Sequence, residues 1–571
     1  MNNTGETGPD KARQRLIGDF LSHPAADKAG VVEIHLGASG PIQYNRSFEW
    51  PLSPPVTTLE YDSRQVKKGS MYFALPGLHT DGHKYIGDAV KRGASAVVHQ
   101  HALDEYPDRS GDNIIESEPV LYIRVRDSRF AMSPIADAFY DHPSRRMAVI
   151  GVTGTEGKST TVYLIYQLLK LLDKKAGFIS TVQQGDGISE KWNAEHQTTP
   201  EALIVHKLLA EMSDNGAKYA VVESSSHGLS KKTNRLGDVD FDIGVMTNVT
   251  HEHLEFHGTW EQYRSDKAEL FRSLDQSPSS HTKEHSPGSV PIPSFGVVNG
   301  DDQSAVFFLE ATGKKTYTFS TKGSNADLSI KSLESGSGGN RYETYIAASG
   351  SSETISDQLP GAFNAGNVLA ALLVVSNLLC IEIEKLISHI PCLKPVRGRM
   401  TAIHKGQPYE VLVDYAHTPS SFEAVLPPIK KRLMQSGGRL ICLFGSPGER
   451  DTQKRALQGE VAARYADFII LTDEDPRGED PLAILEEIAL GCETTGNTMI
   501  RGKTLFLIPN RPGALRKAFS IALKGDVVLL LGKGHENSII YAKETIAYDE
   551  FLEAETALEE AGYGQGTSNQ A

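Results

Sequence analysis

The segment whose residues most clearly indicate a chemical role is glycine-rich and reads GVTGTEGKSTT over 151–161. Glycines there would let backbone N–H groups close around phosphate, Lys158 could reach the terminal phosphates, and the Ser159 hydroxyl could bind Mg²⁺. The spacing departs from the usual phosphate loop, because Val152 stands where the first glycine is expected. The alternative is a structural turn that packs against its neighbours and binds no ligand. The apolar strand before the segment and the helical pattern after it favour a nucleoside triphosphate site.

Two polar segments follow apolar runs further along the chain. Glu223 begins ESSSH, and Thr250 begins THEHLEFHG. A carboxylate beside a triphosphate suits Mg²⁺, which takes oxygen ligands, although a plain strand-end cap is the alternative. Three histidines within 251–257 resemble a zinc site, but the spacing is not HExxH and cysteine ligands are absent. We therefore favour a role for His253 beside phosphate and Mg²⁺.

A lysine, Lys267, lies in the helical pattern YRSDKAELF. Long charged side chains on helices normally stay in water, where surface ion pairs form with nearby acids. Side-chain chemistry alone therefore predicts a solvated lysine paired with Asp266 or Glu269.

Four further motifs follow apolar runs in the last third of the chain: DYAHTP at 414–419, GSPGERD at 445–451, DEDPR at 473–477 and GKGHE at 532–536. In an open parallel sheet the carboxyl ends of the strands border one crevice, where ligands bind. Independent turns could have the same composition, but four such segments favour a site. Their arginines can clasp carboxylates and their acids can bind ammonium, which fits an amino acid.

The elements that position these residues alternate between strands and helices. We predict an α/β protein with a small N-terminal α/β domain over 1–145, a central nucleotide-binding domain with a parallel sheet over 146–394, and a C-terminal Rossmann-like domain over 395–571. The Ser/Pro/His-rich stretch 275–292 lacks periodicity and is expected to be an exposed insertion. The first dozen residues and the tail from Gly562 are expected to be mobile.

Composition limits the class of protein. The chain has 571 residues and a net charge of −14, which argues against nucleic-acid or anionic-membrane binding. Four cysteines without a CxxC pair form no disulfide framework. The first residues contain no apolar signal segment, and the apolar runs are shorter than the ~20 residues that span a bilayer. We therefore expect a soluble, cytoplasmic protein. Its expected partners are small-molecule substrates, and we expect it to act as a monomer.

In their order and spacing these motifs resemble the Mur ligases, most closely the UDP-N-acetylmuramyl-tripeptide synthetase branch. The resemblance runs from about Leu59 to about Ile540 and also includes DSRQVKKGSMYFALPG, GAFNAGN and VRGRM. It implies three domains that hold the UDP end of a substrate, ATP and an amino acid. It also implies the reaction: the D-glutamate carboxylate of UDP-MurNAc-L-Ala-D-Glu takes the γ-phosphate of ATP, and a diamino acid attacks the acyl phosphate.

The same resemblance implies roles for individual residues. The ATP site would contain Gly154, Thr155, Glu156, Gly157, Lys158, Ser159, Thr160, Asn367, Arg399 and Asp414. Mg²⁺ would lie among Ser159, Glu223, His253 and a carbamylated Lys267, a role that replaces the solvated lysine expected above. Catalysis would depend on Lys158, Glu223, His253 and Lys267. The UDP-sugar would contact Tyr61, Ser63, His79, Thr80, Gln197, Thr198, Thr199, Ser225 and Arg235. The amino-acid pocket would contain Arg450, Glu474, Asp475, Pro476, Arg477, Gly532 and Glu536.

The sequence leaves the amino acid open. The pocket reads Glu-Asp-Pro-Arg over 474–477, where the diaminopimelate-adding form of the family has Asp-Asn-Pro-Arg. Arg477 could clasp a second carboxylate, which favours meso-diaminopimelate. Asp475 adds negative charge, which suits an extra ammonium group and keeps L-lysine and L-ornithine as alternatives.

Two other functions are weighed against this ligase. Folylpolyglutamate synthase has a related fold, but the DSR segment near the N-terminus and the DPR motif argue against it. A nucleotide-gated, non-catalytic binding protein on the same scaffold should lack catalytic groups. Lys158, Glu223, His253 and Lys267 are all present.

Overall fold

The computed structural model describes residues 15–36, 42–46, 54–77, 80–101, 120–193, 197–250, 254–276, 280–281, 292–336, 339–494 and 499–564. The predictions for the first dozen residues, for most of 275–292 and for the tail beyond 564 fall outside these ranges. Contacts divide the chain into two compact units: Met1–Lys331 with Thr344–Glu353 and Gly366–His389, and Ser332–Glu343 with Thr354–Ala365 and Ile390–Ala571.

The strands alternate with helices along most of the described chain. The strands are β1 (Arg15–Leu16), β2 (Val31–Leu36), β3 (Ile42–Gln43), β4 (Pro55–Val56), β5 (Thr58–Glu60), β6 (Ser70–Phe73), β7 (Ala94–His99), β8 (Leu121–Val125), β9 (Ala148–Thr153), β10 (Ala176–Ile179), β11 (Gln183–Gly185), β12 (Glu190–Trp192), β13 (Tyr219–Glu223), β14 (Ile243–Met246), β15 (Ser280–His281), β16 (Ile292–Pro293), β17 (Phe295–Asn299), β18 (Thr316–Ser320), β19 (Leu328–Gly336), β20 (Gly339–Ile346), β21 (Ser351–Asp357), β22 (Thr401–Ile403), β23 (Glu410–Asp414), β24 (Leu440–Phe444), β25 (Phe468–Leu471), β26 (Leu505–Leu507), β27 (Val527–Leu531), β28 (Ser538–Ile540) and β29 (Thr545–Ala547).

The helices range from one turn to five. They are α1 (Ile17–Ser22), α2 (Pro24–Lys28), α3 (Ile86–Lys91), α4 (Ser128–Phe139), α5 (Lys158–Leu171), α6 (Ala202–Asp214), α7 (Ser226–Leu229), α8 (Leu254–His257), α9 (Trp260–Leu274), α10 (Ala305–Leu309), α11 (Phe363–Leu379), α12 (Ile383–Ile387), α13 (Pro419–Ser436), α14 (Gln453–Tyr465), α15 (Pro481–Thr494), α16 (Arg511–Ile521) and α17 (Glu550–Glu560). Short 3₁₀ turns lie at Ser63–Gln65, Gly82–Tyr85, Pro143–Arg146 and Ile390–Cys392.

The first unit contains an N-terminal sheet with strand order β3-β2-β8-β7-β6-β5. Strands β5 to β8 pair in parallel, and β2 pairs antiparallel with β8. The apolar segments MYFAL and SAVVHQ form β6 and β7, and helix α3 lies between them in the chain.

A second sheet of this unit positions the predicted nucleotide site. Strand β9 lies between β13 and β14 and pairs with both in parallel. The carboxyl ends of parallel neighbours meet at one edge of a sheet, so the segments after these three strands lie together. Helix α5 follows β9 and buries Val162, Ile165 and Leu169 on its apolar face. The parallel sheet predicted for the central domain is confirmed.

The second unit contains a sheet with strand order β22-β23-β27-β24-β25-β26. Strand β27 pairs in parallel with both β23 and β24, and β25 and β26 continue the parallel pairing beyond β24, whereas β22 pairs antiparallel with β23 at the edge. Alternate residues of β27 enter two different cores: Leu529 packs on one face and Leu530 on the other. A sheet covered by helices on both faces explains why these strands have continuous apolar sequences.

Candidate active site

The glycine-rich segment forms a tight loop between β9 and α5. Gly154 has φ 150° and Gly157 has φ 81°, values that side chains rarely allow. A Cβ atom at Gly154 would lie 1.9 Å from the Thr247 hydroxyl oxygen. The loop is thus packed too closely for larger residues, and it leads into the N-terminus of the 14-residue helix α5, where free N–H groups favour anions.

The residues after β14 hold this loop in shape. The Thr155 N–H donates to the Asn248 carbonyl at 2.8 Å, and the Glu156 N–H donates to Asn248 Oδ1 at 2.8 Å. The Thr247 hydroxyl donates to the Glu156 carbonyl at 2.6 Å. Sequence reasoning missed Asn248. Its position one strand away from the loop, at the carboxyl end of β14, was the available signal.

Lys158 is the first residue of α5, and its side chain lies against the preceding loop. Its Nζ donates to the Thr155 carbonyl at 2.7 Å. An ammonium group held at the mouth of a loop of this shape can move to a phosphate oxygen, which is a stronger acceptor than a carbonyl.

A buried carboxylate lies beside the start of α5. The Ser159 hydroxyl donates to Glu223 Oε1 at 3.0 Å, and Thr181 donates to the same carboxylate through its N–H at 2.8 Å and its hydroxyl at 2.9 Å. Glu223 is 1% exposed. The structure thus brings together the two predicted oxygen ligands of Mg²⁺, and it adds Thr181, which sequence reasoning missed. His253 lies outside the described residues.

Lys267 is buried, and the solvated lysine predicted from side-chain chemistry is wrong. The residue is 1% exposed, and its Nζ donates to the Gly154 carbonyl at 2.5 Å. The ammonium also lies 4.5 Å from the centre of the Tyr263 ring. The two expected partners form ion pairs with other residues: Asp266 with His257 and Glu269 with Arg272. The side chain therefore faces the phosphate loop.

The His257–Asp266 pair braces helix α9. His257 Nδ1 lies 2.7 Å from Asp266 Oδ2, and its Nε2 lies 3.1 Å from the Ser226 hydroxyl. Burial acts to raise the pKa of Asp266, but the hydrogen bonds from His257 and Gln262 outweigh it and lower the pKa. Both ring nitrogens of His257 are thereby engaged, so this histidine fits a supporting role better than a zinc site.

Three residues predicted to bind the UDP-sugar meet behind Glu223. The Thr199 hydroxyl donates to the Glu223 carbonyl at 2.9 Å and accepts from the Ser225 N–H at 3.0 Å. Arg235 donates to the Thr199 carbonyl at 2.8 Å and to Glu201 Oε1 at 2.9 Å. These hydrogen bonds connect the cluster to the backbone of Glu223, one of the two predicted Mg²⁺ ligands.

The other predicted UDP-sugar residues lie on different elements. Tyr61 packs against the core of the N-terminal sheet, and Ser63 begins a 3₁₀ turn. The hydroxyls of Thr80 and Tyr85 lie 3.2 Å apart. Gln197 is exposed and Thr198 is half-buried. His79 lies outside the described residues.

The three residues predicted near the nucleotide belong to both units. In the first unit, Asn367 of α11 accepts from the Thr161 hydroxyl at 3.2 Å and closely approaches Gly157. In the second unit, Asp414 accepts from the N–H groups of Met400 and Ala416 at 2.8 and 2.7 Å. Burial raises the pKa of Asp414, although the charge of Arg399 opposes the shift.

The predicted amino-acid residues of the second unit converge at the ends of β25 and β27. Lys533 Nζ donates to Asp475 Oδ1 at 2.9 Å and to Glu536 Oε2 at 2.6 Å. The Tyr415 hydroxyl donates to Glu536 Oε1 at 3.1 Å. Sequence reasoning missed both Lys533 and Tyr415. It also treated Asp475 as added negative charge, whereas here the carboxylate is paired with an internal ammonium.

Glu474 and Arg477 occupy the same region. Glu474 is 7% exposed, and a Cβ atom at Gly532 would lie 2.9 Å from its Oε2. Burial raises the pKa of Glu474 to about 7, with Lys454 opposing the shift and Glu536 adding to it. Arg477 has φ 56°, and its buried Nε makes no hydrogen bond within the described part of the chain.

The remaining pocket residues differ in burial. Arg450 is exposed. The Pro476 carbonyl lies 1.9 Å from the place of a Cβ atom at Gly448, so the two motif loops touch. The fully buried Arg511 donates to the carbonyls of Asp473 at 3.1 Å and Leu531 at 2.8 Å, which fixes the ends of both strands.

Comparison with known proteins adds three family matches along the chain. Residues 55–140 match the Mur ligase family catalytic domain, 152–375 the Mur ligase middle domain, and 398–534 the Mur ligase glutamate ligase domain.

No helix among the described residues has the length and apolar character needed to cross a membrane.

Individual relatives cover nearly the whole chain. A UDP-N-acetylmuramyl-tripeptide synthetase from Treponema denticola is 48% identical over 88% of this chain and 94% of its own length. A UDP-N-acetylmuramoyl-L-alanyl-D-glutamate–2,6-diaminopimelate ligase from Geobacillus kaustophilus is 34% identical over 89% of this chain and 96% of its own length. A solved structure of a ligase with the same name is 27% identical, with a TM-score of 0.56, and covers 90% of this chain and 97% of that one.

Proposed function

Because the chain belongs to the Mur ligase family of ATP-dependent ligases, we propose that it joins a diamino acid to UDP-N-acetylmuramoyl-L-alanyl-D-glutamate in peptidoglycan precursor synthesis. The observation that supports this most is the convergence of Lys158, Glu223 and Lys267 on one glycine-rich loop. A non-catalytic nucleotide-binding protein would have no need for a buried lysine facing that loop.

The first step activates a poor electrophile. An oxygen of the D-glutamyl carboxylate attacks the γ-phosphorus of ATP, the bond to the β-phosphate oxygen breaks, and ADP leaves. Two anions must approach each other, so positive charge at the site determines the barrier. We assign Lys158 and the loop from Gly154 to Thr160 to the phosphates. Because the Thr155 and Glu156 N–H groups already donate to Asn248, the N–H groups that neutralise charge on the phosphoryl oxygens are those at the start of α5.

Ser159 and Glu223 fit a Mg²⁺ ion. Both offer oxygen atoms, both are buried beside the loop, and they lie within hydrogen-bond distance of each other. When bound there with ATP, Mg²⁺ would neutralise phosphate charge. Thr181 donates two hydrogen bonds to Glu223 and thereby fixes the orientation of its carboxylate. His253 and a carbamate on Lys267 complete the ligand set that we propose.

The second step forms the amide bond. The neutral amine of the diamino acid attacks the acyl carbon, the tetrahedral intermediate collapses, and inorganic phosphate leaves with the former carboxylate oxygen. The amine must first lose a proton, and water must be kept from the acyl phosphate. We propose that residues 1–145 bind the UDP end, 146–394 bind ATP and 395–571 bind the amino acid, in a cytoplasmic monomer.

The pocket of the second unit favours meso-diaminopimelate. Asp475 is paired with Lys533, so its charge is compensated inside the protein. Arg477 has a buried Nε without a partner in the described ranges and can clasp a carboxylate through its planar fork. Diaminopimelate has a second carboxylate at the end of its side chain. Lysine and ornithine lack this group and would leave the Arg477 guanidinium without a carboxylate partner.

Replacing Arg477 by alanine is expected to raise the KM for diaminopimelate about a hundredfold, because a bidentate charge-assisted contact is lost. The KM for ATP should change by less than about twofold, since phosphate binding belongs to the other unit. Steady-state kinetics with each substrate varied in turn measure both values. Equal increases in the two constants would contradict the assignment of Arg477 to the amino-acid pocket.

The pKa of Glu474 predicts a pH dependence of amino-acid binding. The carboxyl is neutral below its pKa of about 7 and negative above it, so it attracts an ammonium group only on the alkaline side. The KM for the diamino acid should therefore rise about tenfold as pH falls from 8 to 6, following the ionised fraction. The Glu474→Gln variant should show a high KM with little pH dependence. An unchanged pH profile in that variant would assign the titration to another group.

The proposed function is tested by ADP formation with purified full-length protein. UDP-MurNAc-L-Ala-D-Glu is supplied together with meso-diaminopimelate, L-lysine or L-ornithine, and the product is identified by mass. We expect ADP release only when both the UDP-linked acid and a diamino acid are present, fastest with diaminopimelate. If none of the three amino acids supports ADP release, the ligase assignment is overturned.

A further inference from the structure

Lys533 lies inside the amino-acid pocket, between residues that already have a proposed role. The side chain is 0% exposed, and its ammonium contacts two carboxylates, those of Asp475 and Glu536. A buried ammonium is tolerated only where acceptors surround it. Its two partners are two of the three acidic residues predicted for the pocket, so Lys533 fixes both of them at once.

Each carboxylate also has a second donor. Asp475 Oδ1 accepts from the Ile540 N–H at 3.0 Å, and Glu536 Oε1 accepts from the Tyr415 hydroxyl at 3.1 Å. The positions of both acids are therefore determined by the protein before any substrate binds. What Lys533 adds to these neutral donors is charge: one internal cation lies between two anions.

This charge decides what the pocket attracts. With Lys533 in place, two carboxylates share one ammonium, and Arg477 stays available for an acid. Without Lys533, both carboxylates would lose their ammonium partner in a site where their side chains are only 13% and 19% exposed, so that electrostatic interactions are stronger than in water. They would then be stabilised by an ammonium group brought by the substrate.

We propose that Lys533 is a specificity-determining positioning residue, which pairs Asp475 and Glu536 and so favours a diamino acid with a second carboxylate over lysine or ornithine. The inference rests on the proposed function and goes further in naming the residue that selects the amino acid. It also explains how a pocket with Asp at 475 can bind an acidic side-chain end: the lysine compensates the added negative charge.

The test compares four full-length proteins: wild type, Lys533→Met, Asp475→Asn and the double variant. The measured quantity is the ratio of kcat/KM for meso-diaminopimelate to kcat/KM for L-lysine, read relative to wild type. We expect Lys533→Met to lower this ratio at least about tenfold, since like charges repel the second carboxylate. Asp475→Asn keeps the lysine, removes one of its partners and should raise the ratio about threefold. The double variant should return the ratio close to the wild-type value.

The outcomes separate the two proposals. If wild type uses none of the three amino acids, the proposed function itself fails. If wild type is active and Lys533→Met lowers turnover of both amino acids equally, Lys533 only supports the structure and the inference is overturned. A ratio unchanged in Asp475→Asn also overturns it, whether or not Lys533→Met folds.

Discussion

Replacing Lys267 by alanine is expected to lower kcat about a thousandfold, the size of effect seen when a charged group is removed from a preorganised site. The side chain is buried, it lies against Tyr263, and its nitrogen contacts the carbonyl of Gly154 in the phosphate loop. A carbamate on that nitrogen would place a carboxylate-like anion beside the phosphates. Single-turnover measurements of ADP formation give the chemical step directly.

A small carboxylic acid should partly restore the Lys267→Ala variant. Formate or acetate can occupy the space left by the side chain and supply the missing anion. Lys231→Ala is the matched control, because Lys231 is an exposed lysine that pairs with Glu269 of α9, the helix that contains Lys267. Its loss should leave kcat within about twofold of the wild-type value. Equal responses to acetate in the variant and in wild type would contradict a carbamate at Lys267.

Replacing Lys158 by methionine is expected to lower kcat/KM for ATP about a thousandfold, because the substitution removes the ammonium group that we assign to the phosphates. In the structure, the Lys158 ammonium donates to the Thr155 carbonyl. Phosphate oxygens are charged acceptors and should displace this contact. The KM for ATP should rise and kcat should fall, since Lys158 binds the phosphates both in the ground state and in the transition state, where their charge develops.

Lys170→Met is the control for Lys158→Met. Lys170 lies in the same helix α5, its side chain is 64% exposed, and it pairs with Glu190 on the surface. Its loss should change kcat/KM for ATP by less than about twofold. A Lys158→Met protein with ATP kinetics close to those of the control would exclude Lys158 from phosphate binding.

The local parts of the nucleotide site could be predicted from the sequence. The apolar run of β9, the glycines of the loop and the Glu223 carboxylate each lie where the pattern places them, because strand, loop and helix N-terminus depend on neighbours in the chain. By contrast, Lys267 contacts a carbonyl 113 residues away. No periodicity contains that contact, so side-chain chemistry predicted a solvated residue.

The charge balance of the amino-acid pocket escaped prediction for the same reason. Lys533 and Asp475 are 58 residues apart and come together only because β25 and β27 flank β24 in the folded sheet. Strands β19 to β21 were also missed, since their serines and glycines are uncommon in strands.

The most direct test of the central claim follows the oxygen atoms. UDP-MurNAc-L-Ala-D-Glu labelled with oxygen-18 in the D-glutamyl side-chain carboxylate is incubated with the protein, ATP and meso-diaminopimelate, and the released phosphate is analysed by mass. An acyl phosphate requires one labelled oxygen in each phosphate formed, because the carboxylate oxygen leaves with phosphorus. Phosphate without label, with the oxygen lost from the carboxylate found instead in AMP or in water, would contradict activation of this carboxylate by the γ-phosphate.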